Sequence, residues 1–344
     1  MKEERSFSLP PSPPIDPAIG HSWPSYHSQI LSEKEVTNKR VIFWLLGAFF
    51  LFLVLAGGSY FALSGYNHQL TVIAQRQHDN FDQISHNYQE IVACLDGFNR
   101  GVLPVEDRTQ QDFPNANVLG DYDVNLDYYT QLGNLFRHGK WLGQKVTSDN
   151  NLFARKVNSF VLAVFYGDQF DDLITDTSDH GQELTGFFNY LVETNDIGLE
   201  IFQSSTAVGE ALEEAIVRGL DDDSLLHLQD EIGEVEQLAE KFDKVYLAYP
   251  LPEDLGRLHG KNKENLESDL ALFRSLSDNL LVDDLFAVEQ DLNLLYLRAY
   301  QEAQTNLANE LAFWRTSQTM ARSAKLSSDW GEASQEAAGK FSLF

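Results

Sequence analysis

The segment Asp121-Tyr122-Asp123-Val124-Asn125-Leu126-Asp127 places oxygen-bearing side chains at alternate positions, the pattern of the first half of a calcium-binding loop. Two requirements of that loop are unmet: Leu126 stands where the sharp turn needs Gly, and Leu132 where a bidentate Glu would close the coordination shell. Asp121, Asp123, Asn125 and Asp127 are thus candidates for a divalent cation, and capping of the following helix is the better reading of them. No other cofactor is expected.

His78, Asp82, His86 and Glu90 recur every four residues, so neighbours lie on adjacent turns of a helix and have the spacing to chelate a transition metal. A solvated helix face has the same spacing and is the simpler reading. Bundle di-iron chemistry needs Glu-x-x-His pairs, and no His in the chain has an acidic residue three positions before it. The chain has no Gly-x-Ser-x-Gly elbow, P-loop, Gly-x-Gly-x-x-Gly, His-Glu-x-x-His or Cys-x-x-Cys, so no catalytic motif argues for an enzyme. The single cysteine, Cys94, sits on an amphipathic stretch without an activating base and reads as a small apolar filler.

Positive charge concentrates at Arg137, Lys140, Lys145, Arg155 and Lys156, with His138 and Trp141 among them, and again at Arg257, His259, Lys261 and Lys263. Such patches fit an anionic ligand or the acidic face of another subunit, whereas pairing with neighbouring Asp and Glu is the commoner use. The background is strongly acidic, with a net charge of −27 over 344 residues. Residues 1–40 are balanced, since Lys2, Arg5, Lys34, Lys39 and Arg40 oppose Glu3, Glu4, Asp16, Glu33 and Glu35. The excess lies further on, which disfavours nucleic acid and anionic lipid as partners.

The element that must position everything else is Val41–Ser64, VIFWLLGAFFLFLVLAGGSYFALS, which holds no charged residue. As a helix it would measure about 36 Å, enough to cross a hydrocarbon core of about 30 Å. Lys34, Lys39 and Arg40 precede it and only Arg76 closely follows, so the positive-inside rule puts the N-terminus in the cytoplasm and the large remainder outside. Its length and the long tail before it read as an uncleaved anchor rather than a signal peptide.

Residues 1–31, rich in Pro and Ser, read as a disordered cytoplasmic tail, and 32–65 as a juxtamembrane and transmembrane helix opened by the capping pair Ser32 and Glu35. Residues 66–100 read as a stalk-like amphipathic helix whose stripe comprises Phe81, Ile84, Tyr88, Ile91, Leu95 and Phe98. That stripe suits a dimeric coiled coil or packing against later helices, and its large aromatics favour the latter. A linker is expected over 101–122, an acidic helical-bundle domain over 123–322 and a flexible tail over 323–344. Helices are expected near 123–146, 149–166, 168–204, 207–219, 222–247, 264–281 and 283–322, with a long loop at 248–263. The apolar stretch thus reads as the middle of one helix reaching from about Glu33 to Phe98, and Gly65 with the polar run after it is the only place before Gly97 where that helix could readily bend.

The fold expected is therefore all-α: one transmembrane helix continuing into an extracytoplasmic bundle. The function expected is a binding or scaffold component of a cell-envelope assembly, with other envelope proteins or a second copy as partners. The alternative is a ligand-sensing ectodomain acting through a separate membrane partner. This topology resembles the membrane-entering half of helical-bundle chemoreceptor sensors, departing from them in lacking a second membrane segment.

Overall fold

Apolar residues at helical spacing must find a face to bury, and in this chain they find each other. The computed structural model describes residues 26–102, 122–218, 222–249 and 253–340, and every regular element among them is an α-helix. Helix α1 (Tyr26–Val102) starts ahead of the apolar stretch, so the tail expected through residue 31 is shortened; residues 1–25 lie outside the described ones. Along Val41–Ala62 the large side chains, Phe43, Trp44, Phe52 and Phe61 among them, are exposed. Among the described residues, α1 is the one helix long and apolar enough to cross a membrane. The chain divides into two units, residues 1–62 and 63–344, and the second contains the helical body.

In this second unit the stripe of α1 is consumed internally. Phe81, Ile84, Tyr88, Ile91 and Leu95 are fully buried, and Phe98 stacks on Tyr128 at 3.9 Å between ring centres. Of the two readings of the stripe, the favoured one holds: it packs against later helices of this chain. Gln77, which interrupts the stripe, donates from Nε2 to the Val146 carbonyl at 2.8 Å, so its polar end is satisfied in the core. As expected, one helix runs unbroken through the apolar stretch and past Gly65, and beyond it Asn67 is buried and donates to the Ala337 carbonyl while accepting from the Tyr166 hydroxyl.

Four helices surround this core. Besides α1 they are α2 (Tyr122–Val157), α4 (Asp171–Arg218) and α8 (Gln318–Gly339), with the short α3 (Phe160–Tyr166) between α2 and α4. The pairings Gln77 with Val146 and Asn87 with Leu135 make α1 and α2 antiparallel. Asn195 with Tyr129 and Asn150 with Ile174 do the same for α2 with α4, as do Trp330 with Thr177 and Ser323 with His180 for α4 with α8. A close approach of α2 to α4 depends on Gly139, where a Cβ would lie 2.3 Å from the Phe188 ring.

Two sequence readings change here. Helix α2 has no break at residues 147–148, because Asp149 accepts from Asn80 and Asn150 donates to the Ile174 carbonyl; these residues join helices rather than cap one. The tail expected over 323–344 is instead helix α8 through Gly339, with Trp330 fully buried and its indole N–H donating to Thr177. Its Ala and Ser residues give it a face narrow enough to pack closely. Residues 341–344 lie outside the described ones.

A second four-helix region uses the other half of α4 with α5 (Asp222–Ala248), α6 (Glu253–Leu281) and α7 (Leu285–Thr316). At 48 residues, α4 runs through both regions, and the end of α7 also enters the first core through Leu307, Leu311 and Trp314. Expected breaks again disappear. Helix α4 runs unbroken through residues 204–207, where the Thr206 hydroxyl donates to the Phe202 carbonyl of its own helix. Most of the loop expected at 248–263 is the first part of α6, where Gly256 is required because a Cβ would meet the Tyr246 hydroxyl at 2.4 Å. The α6–α7 turn holds Asp283 at φ 58°, a left-handed conformation Asp tolerates, and Asp284 caps α7 by accepting from Ala287 N. The core of this region is almost wholly aliphatic, including Val208, Leu228, Ile232, Leu276, Leu280 and Val288.

Candidate ligand-binding cavity

Between the aromatic and aliphatic cores the helices leave a cavity of about 400 Å³, within the size range of small-molecule sites. Helix α2 contributes Tyr128, Tyr129, Leu132 and Phe136, and α4 contributes Tyr190, Leu191, Thr194, Asn195, Gly198 and Ile201. Phe242 closes it from α5; Leu255, Leu258, Asn262, Asn265, Leu266 and Asp269 line it from α6; and Glu310 enters from α7. The junction is open because α4 passes from one set of neighbours to another there, and small residues face the gap. A Cβ at Gly198 would come within 3.3 Å of the Tyr129 ring, so Gly198 lets that ring lie against α4.

The polar groups of the wall are phenols, the Thr194 hydroxyl and Asn amides, which can donate, and the carboxyls of Asp269 and Glu310. Asn195 is 7% exposed, donates from Nδ2 to the Tyr129 carbonyl at 3.0 Å, and leaves Oδ1 without a partner. Asn262 Oδ1 is likewise buried and unpartnered among the described residues. Although Glu310 keeps some solvent contact, its carboxyl is enclosed closely enough that burial pushes its pKa up to about 7. No hydrogen bond or ion pair to Glu310 occurs among the described residues.

Burial, with the Glu310 charge adding to it, raises Tyr129 to about 12 and also raises Tyr128 and Tyr190, so all three phenols are neutral and near that carboxyl. The Tyr190 hydroxyl lies 2.8 Å from His259 Nδ1, and His259 is stacked between Phe242 at 4.4 Å and Tyr246 at 4.8 Å. Burial lowers the pKa of His259 and holds it neutral.

The residues singled out by sequence pattern lie elsewhere. Asn125 and Asp127 sit on helix α2, where positions two apart face different ways, and Asn125 is buried while Asp127 is exposed. Asn125 and Asp127 therefore do not share a face, and the side chains of Asp121 and Asp123 lie outside the described residues. Among the described residues no group of three or more His, Cys, Asp or Glu side chains is placed to hold a metal ion. His78 with Asp82, 3.5 Å apart, and His86 with Glu90, 3.4 Å apart, form separate pairs. Burial raises the Cys94 thiol above its ordinary value, away from a reactive thiolate.

The basic patch also resolves into separate contacts. Arg137 pairs with Asp196 at 2.7 Å, Lys145 lies over the Trp141 ring at 5.1 Å, and Lys156 donates to Gln69 and lies over Tyr66. Lys140 and Arg155 take no part in these contacts. In α6, Lys263 pairs with Asp243 at 2.8 Å, and His259 is in the core rather than in a basic surface patch.

Long-range packing also assembles a Ser–His–Glu set that no local motif signals. Ser323 Oγ lies 2.8 Å from His180 Nε2, and His180 Nδ1 lies 3.3 Å from Glu183 Oε2. It is not arranged for nucleophilic attack. Ser323 donates its own proton to the Thr319 carbonyl, and both Ser323 and His180 are fully buried. Burial lowers the His180 pKa, and the set ties α8 to α4.

The residues that make the cavity were missed for a physical reason. Glu310, Asn195 and Asn262 come from three helices and share no spacing. The one local signal was polar residues at otherwise apolar positions of the α4 and α6 stripes. Comparison with known proteins adds no functional information: no protein-family model, curated protein or solved structure matches the chain significantly.

Proposed function

We propose that this chain is a membrane-anchored ligand-binding protein, with Val41–Ser64 as its single span, the N-terminus in the cytoplasm and the helical body on the other side. Lys34, Lys39 and Arg40 before the span, against only Arg76 soon after it, support that orientation. The observation that carries the ligand-binding reading is the cavity itself: helices α2, α4, α5, α6 and α7 surround about 400 Å³ and present the carboxyl of Glu310, unpaired among the described residues, in an aromatic wall. A core built only for stability would pair or exclude such a carboxyl, since leaving a buried polar group unsatisfied costs about 1–3 kcal/mol and more for a charged one. Binding is favoured over catalysis because Glu310 has no activating partner and the Ser–His–Glu set is sealed in the core.

The test is a thermal-shift screen of the full chain in lipid nanodiscs against small cationic, neutral and anionic compounds, beside Leu266→Trp, which puts an indole into the cavity. The reading predicts that at least one class raises the wild-type melting temperature by a few degrees and leaves Leu266→Trp unmoved. If no class shifts the wild type, or if Leu266→Trp responds equally, the cavity is not a binding site.

A second reading, an interaction scaffold, is favoured by a different end of the body. Leu281, Val282, Leu285 and Phe286 are exposed at the α6–α7 turn, Phe286 by 70%, with Ile216, Val217 and Leu226 exposed on α4 and α5. Asp223, Asp283 and Asp284 border them, which suits a basic protein partner better than anionic lipid. A photo-crosslinker at Phe286 in native membranes should capture one defined protein, in a product lost in Leu285→Asp; labelling no stronger than at exposed Trp141 would end this reading.

A further inference from the structure

We propose that the cavity binds a protonated primary amine with an apolar body, and that Glu310 is its counter-ion. The inference deepens the ligand-binding reading and rests on it. Its basis is a carboxyl without a counter-ion in an aromatic wall. Glu310 meets no cation, and no Lys or Arg lines the cavity, among the described residues. Asn195 commits its amide N–H to the Tyr129 carbonyl rather than to that carboxyl.

An alkylammonium supplies what is missing, since it has a positive charge, three N–H donors and no acceptor. An anion would meet the Glu310 charge with no Lys or Arg among the described lining residues to offset it. A neutral alcohol has one proton to give and leaves the carboxylate unneutralised. A quaternary ammonium matches the charge but has no N–H to donate to the carboxylate. The rings agree with this choice, because Tyr128, Tyr129 and Tyr190 offer the aromatic faces that attract cations, while Leu132 and Leu191 can cover a hydrocarbon body. The chain's net charge of −27 would also concentrate cations around the body.

The experiment is calorimetry on the full chain in zwitterionic nanodiscs at pH 8 in an amine-free buffer, with three probes of one shape: 2-phenylethylamine, 2-phenylethanol and phenylacetate. The amine should bind about tenfold or more tightly than the alcohol, the scale expected of one enclosed charge contact, and phenylacetate should give no binding. Glu310→Gln, which keeps the side chain's size, should abolish the preference for amine over alcohol. Alcohol or acid binding as tightly as the amine, or an unchanged preference in Glu310→Gln, overturns the amine assignment while leaving a binding cavity in place. If the amine does not bind, the assignment also falls, and the broader screen with Leu266→Trp decides whether the cavity reading falls with it.

Discussion

The two four-helix regions that share α4 are held together by different physics. In the first, aromatic rings crowd together, Tyr88 lying 5.0 Å from Trp314 and Phe153 4.7 Å from Trp330, and buried side chains cross between helices to specific backbone carbonyls. In the second, an aliphatic core is flanked by exposed links such as Lys241 with Glu200, Lys263 with Asp243 and Arg274 with Glu236. Aliphatic packing tolerates rearrangement, and exposed ion pairs contribute little. Buried amide bonds and interlocked rings fix one register. The cavity lies where the precisely specified region meets the forgiving one, a place where side chains can serve a ligand instead of completing a core.

The largest expected effect separates the two regions directly. Trp330→Ala should destabilise the full chain by about 3–5 kcal/mol, through the void and the lost bond to Thr177. Leu276→Ala in the second core should cost less, about 2–3 kcal/mol. Melting curves with hydrogen exchange read by region would show equal losses if the contrast is wrong. Next, Gly139→Ala should cost about 2 kcal/mol by pushing α2 from Phe188, seen as exchange rising across both helices; a neutral result would mean that α2 and α4 are not locked there.

Glu310→Gln sharpens the junction itself. The folded-state pKa of Glu310 is raised to about 7 by burial, so its ionisation opposes folding at high pH, and that penalty fades as pH falls through 7 toward the ordinary carboxylate value. The substitution should therefore stabilise the ligand-free protein at pH 8 by about 1–2 kcal/mol and have little effect at pH 5. Equal effects at both pH values would show an ordinary surface carboxylate. The smallest effect expected is that of Arg274→Ala, below about 1 kcal/mol, because its pair with Glu236 is exposed; a larger loss would mean the second region is more tightly specified than its core implies.

How far these features were legible in the sequence depends on the range of the interactions. The all-α fold and the α1 stripe were visible because helical periodicity is local. Helix ends were read less well, since Asp149 and Gly256 look like cap or loop residues but serve contacts with distant helices or side chains. Helix α8 was missed because a face of Ala and Ser becomes a packing surface only once Trp330 has a pocket on α4 and α2. The cavity was not readable at all: a Glu at position 310 is ordinary until helices α2, α4 and α6 surround it.

A linked pH effect is expected for the amine. The charged and titratable groups facing Glu310 are Asp269 on α6, Tyr128 and Tyr129 on α2 and Tyr190 on α4 backed by His259, and the phenols and the imidazole stay neutral near pH 7. Glu310 is thus the group expected to gain or lose a proton as a cation binds. The most direct measurement is a pH titration of Glu carboxyl carbon-13 resonances in the full chain, with Glu310→Gln to assign the signal. The counter-ion assignment predicts a midpoint near 7 without ligand and a drop of about one unit or more with saturating 2-phenylethylamine; a midpoint in the ordinary carboxylate range that the amine does not move would contradict it.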